Sequence, residues 1–285
     1  FGTRDCKFRG CARDSPTEGS QQRQFLIEMM RPNALRERWK TGGSTVNGWL
    51  ALPNSLSTEI MARQGWDSLT VDLQHGLVDY QAMVPMLQAI SSTDTTPLVR
   101  VPWLEPGILM KVLDAGAHGV ICPMISTRED AQRFVAYTRY APAGTRSYGP
   151  LRANLVNGPD YPEWADQEVV RFAMIETAQA LEQLDSILSV EGLDAIYIGP
   201  SDLSLALGFR PSFDDVAPRV AEAIQHILDR ARFYGLAAGI HTGSPEGSLR
   251  RVASGFQLVT IGSDADFIAK GAQAVLTAVQ TARGV

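Results

Sequence analysis

Eight short apolar runs recur along the chain, at 45–52 (TVNGWLAL), 68–74 (SLTVDLQ), 96–101 (TPLVRV), 119–125 (GVICPMI), 170–175 (VRFAMI), 195–199 (AIYIG), 236–240 (LAAGI) and 258–262 (LVTIG). Most are continuous rather than alternating, as in strands covered on both faces, and so predict a parallel sheet. Helical periods lie between them. Residues 79–91 align Met83, Met86, Leu87 and Ile90, with Pro85 predicting a kink or a late start. Residues 127–140 align Ala131, Phe134, Val135 and Thr138 behind a predicted capping box of Ser126 and Glu129. Residues 178–190 align Leu181, Leu184 and Leu188. Residues 214–234 align Val220, Ile224, Ile227, Leu228 and Ala231, and Gly235 closes that helix. The last period, 264–282, carries Phe267, Ile268, Val275 and Val279.

Eight strands alternating with helices predict an α/β fold, a (β/α)8 TIM barrel in a single domain. An open doubly wound sheet would want a glycine-rich phosphate loop after the first strand, and ALPNSLS is not one. Residues 1–29 have no period, few apolar residues and no continuous apolar segment of the secretory kind. They are expected to be an appended or disordered leader, with the barrel domain over 30–285. The one long connection, 141–169, has the length of a lid or entrance.

Composition narrows the function. Of 285 residues, 45% are hydrophobic and 20% charged, and the net charge of −5 is spread without a basic block. Nucleic acid is therefore not an expected partner, and no apolar run is long enough to span a membrane. Three cysteines (Cys6, Cys11, Cys122) without metal-ligand spacing fit a reducing, cytoplasmic setting. The four lysines, Lys7, Lys40, Lys111 and Lys270, all avoid strand ends, which disfavours imine chemistry.

Barrel active sites form at the carboxyl ends of the strands. The polar residues at those ends are Asp72 and His75, Arg100, Glu176, Ser201 and Asp202, and His241. Glu176 and Asp202 follow adjacent strands. Two converging carboxylates repel unless a cation lies between them, and oxygen ligands suit a hard divalent ion. The alternative is that each pairs with a basic residue or caps a helix. Asp72 and His75 suit a general base whose tautomer the carboxylate fixes. Arg100, on an apolar strand, needs an anion: either a structural partner, Asp72 or Glu176, or a substrate. His241 either shapes the substrate end of the pocket or caps the helix at SPEGSL.

The motifs DLQHG (72–76), VRVPW (99–103), AGAHGVICPM (115–124), RYAPAGTRSYG (139–149), MIET (174–177) and IGPSDLS (198–204) together resemble the class II metal-dependent pyruvate aldolases of the HpcH/HpaI family. The resemblance implies that Glu176 and Asp202 bind Mg²⁺ or Mn²⁺, with Co²⁺ as a substitute. It implies that His75, oriented by Asp72, is the base and that Arg100 contacts the keto oxygen. Met174, Gly199, Pro200, Ser201, Asp202 and His241 would line the 2-oxo acid and aldehyde site. It further implies a homohexamer built as a trimer of dimers, with the C-terminal helix swapped to a neighbour. Met174 stands where some relatives have glutamine, and Gln74 where some have glutamate. Arg152 is expected to reach the aldehyde. The activity implied is reversible cleavage of 4-hydroxy-2-oxo acids to pyruvate or hydroxypyruvate and an aldehyde. The alternatives are a CoA-thioester lyase, with RSYGPLR as the one candidate phosphate-binding surface, and a non-catalytic barrel that binds a 2-oxo acid.

Overall fold

The computed structural model describes residues 32–283. The expected leader, 1–29, lies outside them, together with Cys6 and Cys11. Eight parallel strands close into a barrel in chain order: β1 (Thr45–Leu50), β2 (Ser68–Asp72), β3 (Thr96–Arg100), β4 (Gly119–Cys122), β5 (Val170–Met174), β6 (Ala195–Ile198), β7 (Ala237–Thr242) and β8 (Leu258–Ser263). Each of the eight apolar runs coincides with one strand, although β7 and β8 extend beyond theirs, to Thr242 and Ser263. Pairing of β1 with β8 completes the ring, so no sheet edge is left open.

Alternate strand residues point into the barrel. Trp49, Leu98, Ile121, Phe172, Met174, Tyr197 and Leu258 fill the interior as one cluster. A polar sector beside them is internally satisfied: Asn47 donates to Thr260 Oγ1 at 3.0 Å and accepts from Ser68 and Thr70 at 2.9 and 3.1 Å.

The surrounding helices are α1 (Ala34–Lys40), α2 (Ser55–Ala62), α3 (Tyr80–Ile90), α4 (Pro106–Asp114), α5 (Arg128–Thr138), α6 (Leu151–Asn157), α7 (Tyr161–Glu168), α8 (Ala178–Glu182), α9 (Leu184–Leu188), α10 (Pro200–Ala206), α11 (Pro218–Phe233), α12 (Pro245–Ser254) and α13 (Asp264–Arg283). The faces predicted for α3, α5 and α11 are the buried ones. Helix α1 carries Leu35 and Trp39 into the interior cluster, closing the floor of the barrel.

Several local expectations change. The capping box of α5 sits one residue later: Thr127 accepts from the Asp130 amide, and Asp130 accepts from that of Thr127. Helix α3 runs from Tyr80 through Pro85 with no late start. The 178–190 period is broken at Gln183 (φ −104°, ψ 16°) into α8 and α9, so Ile187 is buried while Leu181 is only partly so.

The long connection 141–169 is not a lid over the mouth. It joins the lower end of α5 to the start of β5, so it lies at the floor. Its Arg146 pairs with Asp114, the last residue of α4, at 2.6 Å. Its Arg152 donates to the Ala115 carbonyl, to Leu87 O and to Ser91 Oγ, at the ends of α4 and α3. A cation there complements the negative ends of both helices. Arg152 therefore does not reach the mouth.

Only Asp264 of α13 is buried. Ile268, Val275, Leu276 and Val279 are 49–68% exposed. Among the described residues, no helix is long and apolar enough to cross a membrane.

Candidate active site

Asp72 and Arg100 end adjacent strands and stand opposite each other in the β2–β3 register. Arg100 Nε donates to Asp72 Oδ1 at 2.8 Å and Nη2 to Oδ2 at 2.6 Å. Trp49 Nε1 adds a bond to Oδ2 at 3.1 Å, and the Arg100 guanidinium lies 4.8 Å from the centre of the Trp49 ring. Burial works against the Asp72 charge, yet Arg100 and the Gln74 amide hold its carboxyl below the usual value. Arg100 thus takes its structural partner, and its Nη1 stays free of hydrogen bonds among the described residues.

His75 differs from expectation. Its imidazole is exposed and is not hydrogen-bonded by Asp72. Asp72 instead accepts from the backbone amides of Gln74 and His75, at 3.0 and 3.3 Å, in a tight turn. With Arg100 and Trp49 also bound, its lone pairs are used up. Gly76 allows the turn: a Cβ there would lie 2.3 Å from the Asp72 carbonyl oxygen. His75 therefore projects from the rim of the mouth with its tautomer unfixed by Asp72.

Glu176 lies two residues beyond β5 and is 2% exposed. Its Oε1 accepts from the Met124 amide at 2.8 Å. Met124 has φ 58°, which is costly for a non-glycine residue and aims that amide at the carboxylate. The other oxygen faces Gly199, where a Cβ would stand 2.6 Å from Oε2 and 3.2 Å from Met174 Cε. Burial first, with the Asp202 charge adding to it, pushes the Glu176 carboxyl up to about 7, against the Met124 amide and Arg100.

Asp202 lies in the first turn of α10, after Gly199 and Pro200, and makes no side-chain cap. It is exposed, and among the described residues neither carboxylate has a salt-bridge partner. The first intrahelical bond of α10 runs from the Leu203 amide to the Gly199 carbonyl, so the Ser201 and Asp202 amides remain open. Two oxygen-donor side chains, one buried and neither ion-paired among the described residues, fit a hard divalent cation. No group of three His, Cys, Asp or Glu side chains suited to a metal occurs among the described residues, so the protein would offer two side-chain ligands.

His241 ends the inward face of β7. Ser244, not His241, caps α12. The His241 ring stacks on Phe213 at 4.7 Å, meets Trp49 edge-on at 5.1 Å, and lies 3.2 Å from the Tyr197 hydroxyl through Nδ1. Burial and the Arg100 charge lower its pKa to about 4, so it is neutral at physiological pH. Met174 is buried beside Glu176 and brings no hydrogen-bond donor. Trp49, Tyr197, Phe213 and the Met124 amide were not among the sequence candidates. Trp49 and Tyr197, aromatic residues in apolar runs, read as core; Phe213 lies in a loop outside those runs; and a backbone donor leaves no mark on residue type.

Residues 46–270 match the family model described as HpcH/HpaI aldolase/citrate lyase. A hydroxypyruvate/pyruvate aldolase of Rhizorhabdus wittichii is 41% identical over 244 residues, covering 86% of this chain and 97% of the relative. A 4-hydroxy-2-oxo-heptane-1,7-dioate aldolase of Salmonella dublin is 36% identical over 246 residues, covering 85% and 93%. The crystal structure of a family member from Burkholderia cenocepacia superposes with a TM-score of 0.81 at 28% identity, covering 87% of this chain and 99% of that one. The chain belongs to the HpcH/HpaI aldolase/citrate lyase family.

Proposed function

We propose that the protein is a divalent-metal-dependent aldolase that reversibly cleaves 4-hydroxy-2-oxo acids to pyruvate or hydroxypyruvate and an aldehyde. Family membership makes it a carbon–carbon lyase, and the names of the two aldolase relatives supply the substrate class. The observation that carries the reading is the paired acids without a basic partner. Glu176 is pushed up to about 7 partly by Asp202, a repulsion that a bound cation would remove.

Glu176 and Asp202 would hold the ion, Mg²⁺ or Mn²⁺, which when bound supplies an electrophile for the keto group of the 2-oxo acid. Arg100, aimed by Asp72, offers its free Nη1 edge to the oxygen on which charge develops. The open Ser201 and Asp202 amides suit the substrate carboxylate. His75 takes the proton from the C4 hydroxyl in the cleavage direction. The C3–C4 bond then breaks, its electron pair passes toward the keto oxygen, and the aldehyde leaves. A proton returned to C3 completes the pyruvate. His75 is on the open rim, so this transfer runs directly or through one water.

The CoA-thioester alternative loses its candidate surface. Arg146 and Arg152 of RSYGPLR are engaged at the floor of the barrel, opposite the mouth. The reading also extends to assembly. The apolar stripe of α13 calls for a cover, and a second copy of the chain in a homohexamer would provide it.

Exchange of pyruvate methyl protons in D₂O, followed by NMR with and without Mn²⁺ or Mg²⁺, tests the chemistry. Fast exchange is expected for the parent with metal, and slow exchange for His75→Ala or after chelation. Equal exchange with and without chelator excludes the metal-assisted reading. Metal binding without any exchange would mark a binding barrel.

A further inference from the structure

We propose that His241 selects hydroxylated substrates, its Nε2 accepting a hydrogen bond from an aliphatic hydroxyl carried by the 2-oxo acid or by the aldehyde. The inference rests on the aldolase reading and deepens it by naming what the pocket wall recognises.

The side-chain chain of donors sets the tautomer. Tyr197 is buried, and its hydroxyl donates to Thr260 Oγ1 at 2.7 Å. A phenol has one proton, so its 3.2 Å contact with His241 Nδ1 is made with Nδ1–H as the donor. The imidazole is neutral at physiological pH, since burial and Arg100 hold its pKa near 4. A neutral ring protonated at Nδ1 has a lone pair at Nε2. Among the described residues Nε2 has no partner, and the residue is only partly buried, so solvent reaches that nitrogen.

The surroundings keep that lone pair in place. Trp49 meets the ring edge-on and Phe213 stacks on it. The loop that carries Phe213 is pinned by Asp214, which accepts from the Gly243 amide at 3.1 Å and from Ser244 Oγ at 2.6 Å. An acceptor set between apolar walls is complementary to a neutral donor. A methyl group leaves it unpaired, and a carboxylate opposes its lone pair. A protonated amine would meet the Arg100 charge, which the ring already senses. A hydroxyl satisfies all three conditions.

Two substrate pairs test this on the full-length protein with Mn²⁺. One is hydroxypyruvate against pyruvate with a common aldehyde. The other is glycolaldehyde against acetaldehyde with pyruvate. In one pair, His241→Leu is expected to lower kcat/KM for the hydroxylated member by roughly tenfold, the size of one hydrogen bond, with little change for the other member. The pair that responds identifies which substrate carries the hydroxyl. His241→Asn keeps a donor toward Tyr197 without an acceptor at the Nε2 position and should behave like the leucine variant. His241→Gln restores an acceptor and should recover the preference. Histidine-selective ¹⁵N NMR should show Nδ1–H, and an Nε2–H tautomer overturns the proposal. Unchanged ratios in both pairs, or an equal fall for all four substrates, overturn the selectivity alone. A parent with no metal-stimulated turnover overturns the aldolase reading and the selectivity with it.

Discussion

Asp72 and Arg100, the final residues of β2 and β3, meet side by side through two hydrogen bonds of 2.8 and 2.6 Å. Their side chains are 3% and 12% exposed, so little water screens the pair. Removing one partner of such a pair leaves a charge without compensation. Asp72→Asn should therefore destabilise the fold by about 3–5 kcal/mol. It should also lower kcat more than it raises KM, because Arg100 loses the fork that aims it. Denaturant unfolding and steady-state kinetics check both effects. Unaltered stability would show that the pair is replaceable.

Glu176 makes the metal-free protein sensitive to pH. Its carboxyl titrates near 7 when folded, above the ordinary 4.5. Between those values the folded state holds a proton that the unfolded state has released. Stability should therefore fall as pH rises from about 4.5 to 7, by about 3 kcal/mol in total, and then level off. Thermal unfolding in chelator at several pH values measures this slope, and Glu176→Gln should remove it. Saturating Mn²⁺ should raise Tm most at and above pH 7, where the carboxylate is free to bind. A slope that survives in Glu176→Gln would place the titration elsewhere.

Gly199 leaves no room for a side chain beside Glu176. An added Cβ would lie 2.6 Å from Oε2, less than contact distance. Gly199→Ala should push the carboxylate aside, costing about 1–3 kcal/mol of stability through overpacking. It should weaken divalent-metal binding at least tenfold, as read by calorimetry. Parent-like affinity would mean that Glu176 is not a ligand or can move freely.

The barrel was legible because its signals are local. A strand covered by helices outside and side chains inside has no exposed face, so most runs were nearly continuous in apolar residues rather than alternating. The stripes of α3, α5 and α11 needed only a period near 3.6. The strand-end residues Asp72 and Arg100 could be placed by chain direction alone. Pairwise contacts could not. Asp72 had two candidate partners, and the bidentate fork of Arg100 took it from the His75 ring. The 141–169 connection was misplaced for a different reason. Its length suggested a lid, while its position between a helix and the next strand fixes it at the floor. Nothing in the residue type of Met124 announces a φ of 58°.

Helix α13 extends 20 residues from the end of β8. Its first residue is well anchored: Asp264 accepts from the Ala51 and Leu52 amides at 2.9 and 3.3 Å. Beyond that turn it exposes Ile268, Val275, Leu276 and Val279 at spacings of seven, eight and eleven residues from the first, which is one face of a helix. Most helical stability in proteins comes from packing of an apolar face, which α13 leaves uncovered, and Gly271 inside the helix costs about 1 kcal/mol more. Cover from another copy of the chain resolves both problems. Light scattering should therefore find an oligomer, expected to be a hexamer, with a Tm that rises with protein concentration. Val275→Asp combined with Leu276→Asp puts two charges in the stripe and should shift the mass to a smaller species. A monomeric parent, or a double variant of unchanged mass, would mean that this face is not an interface.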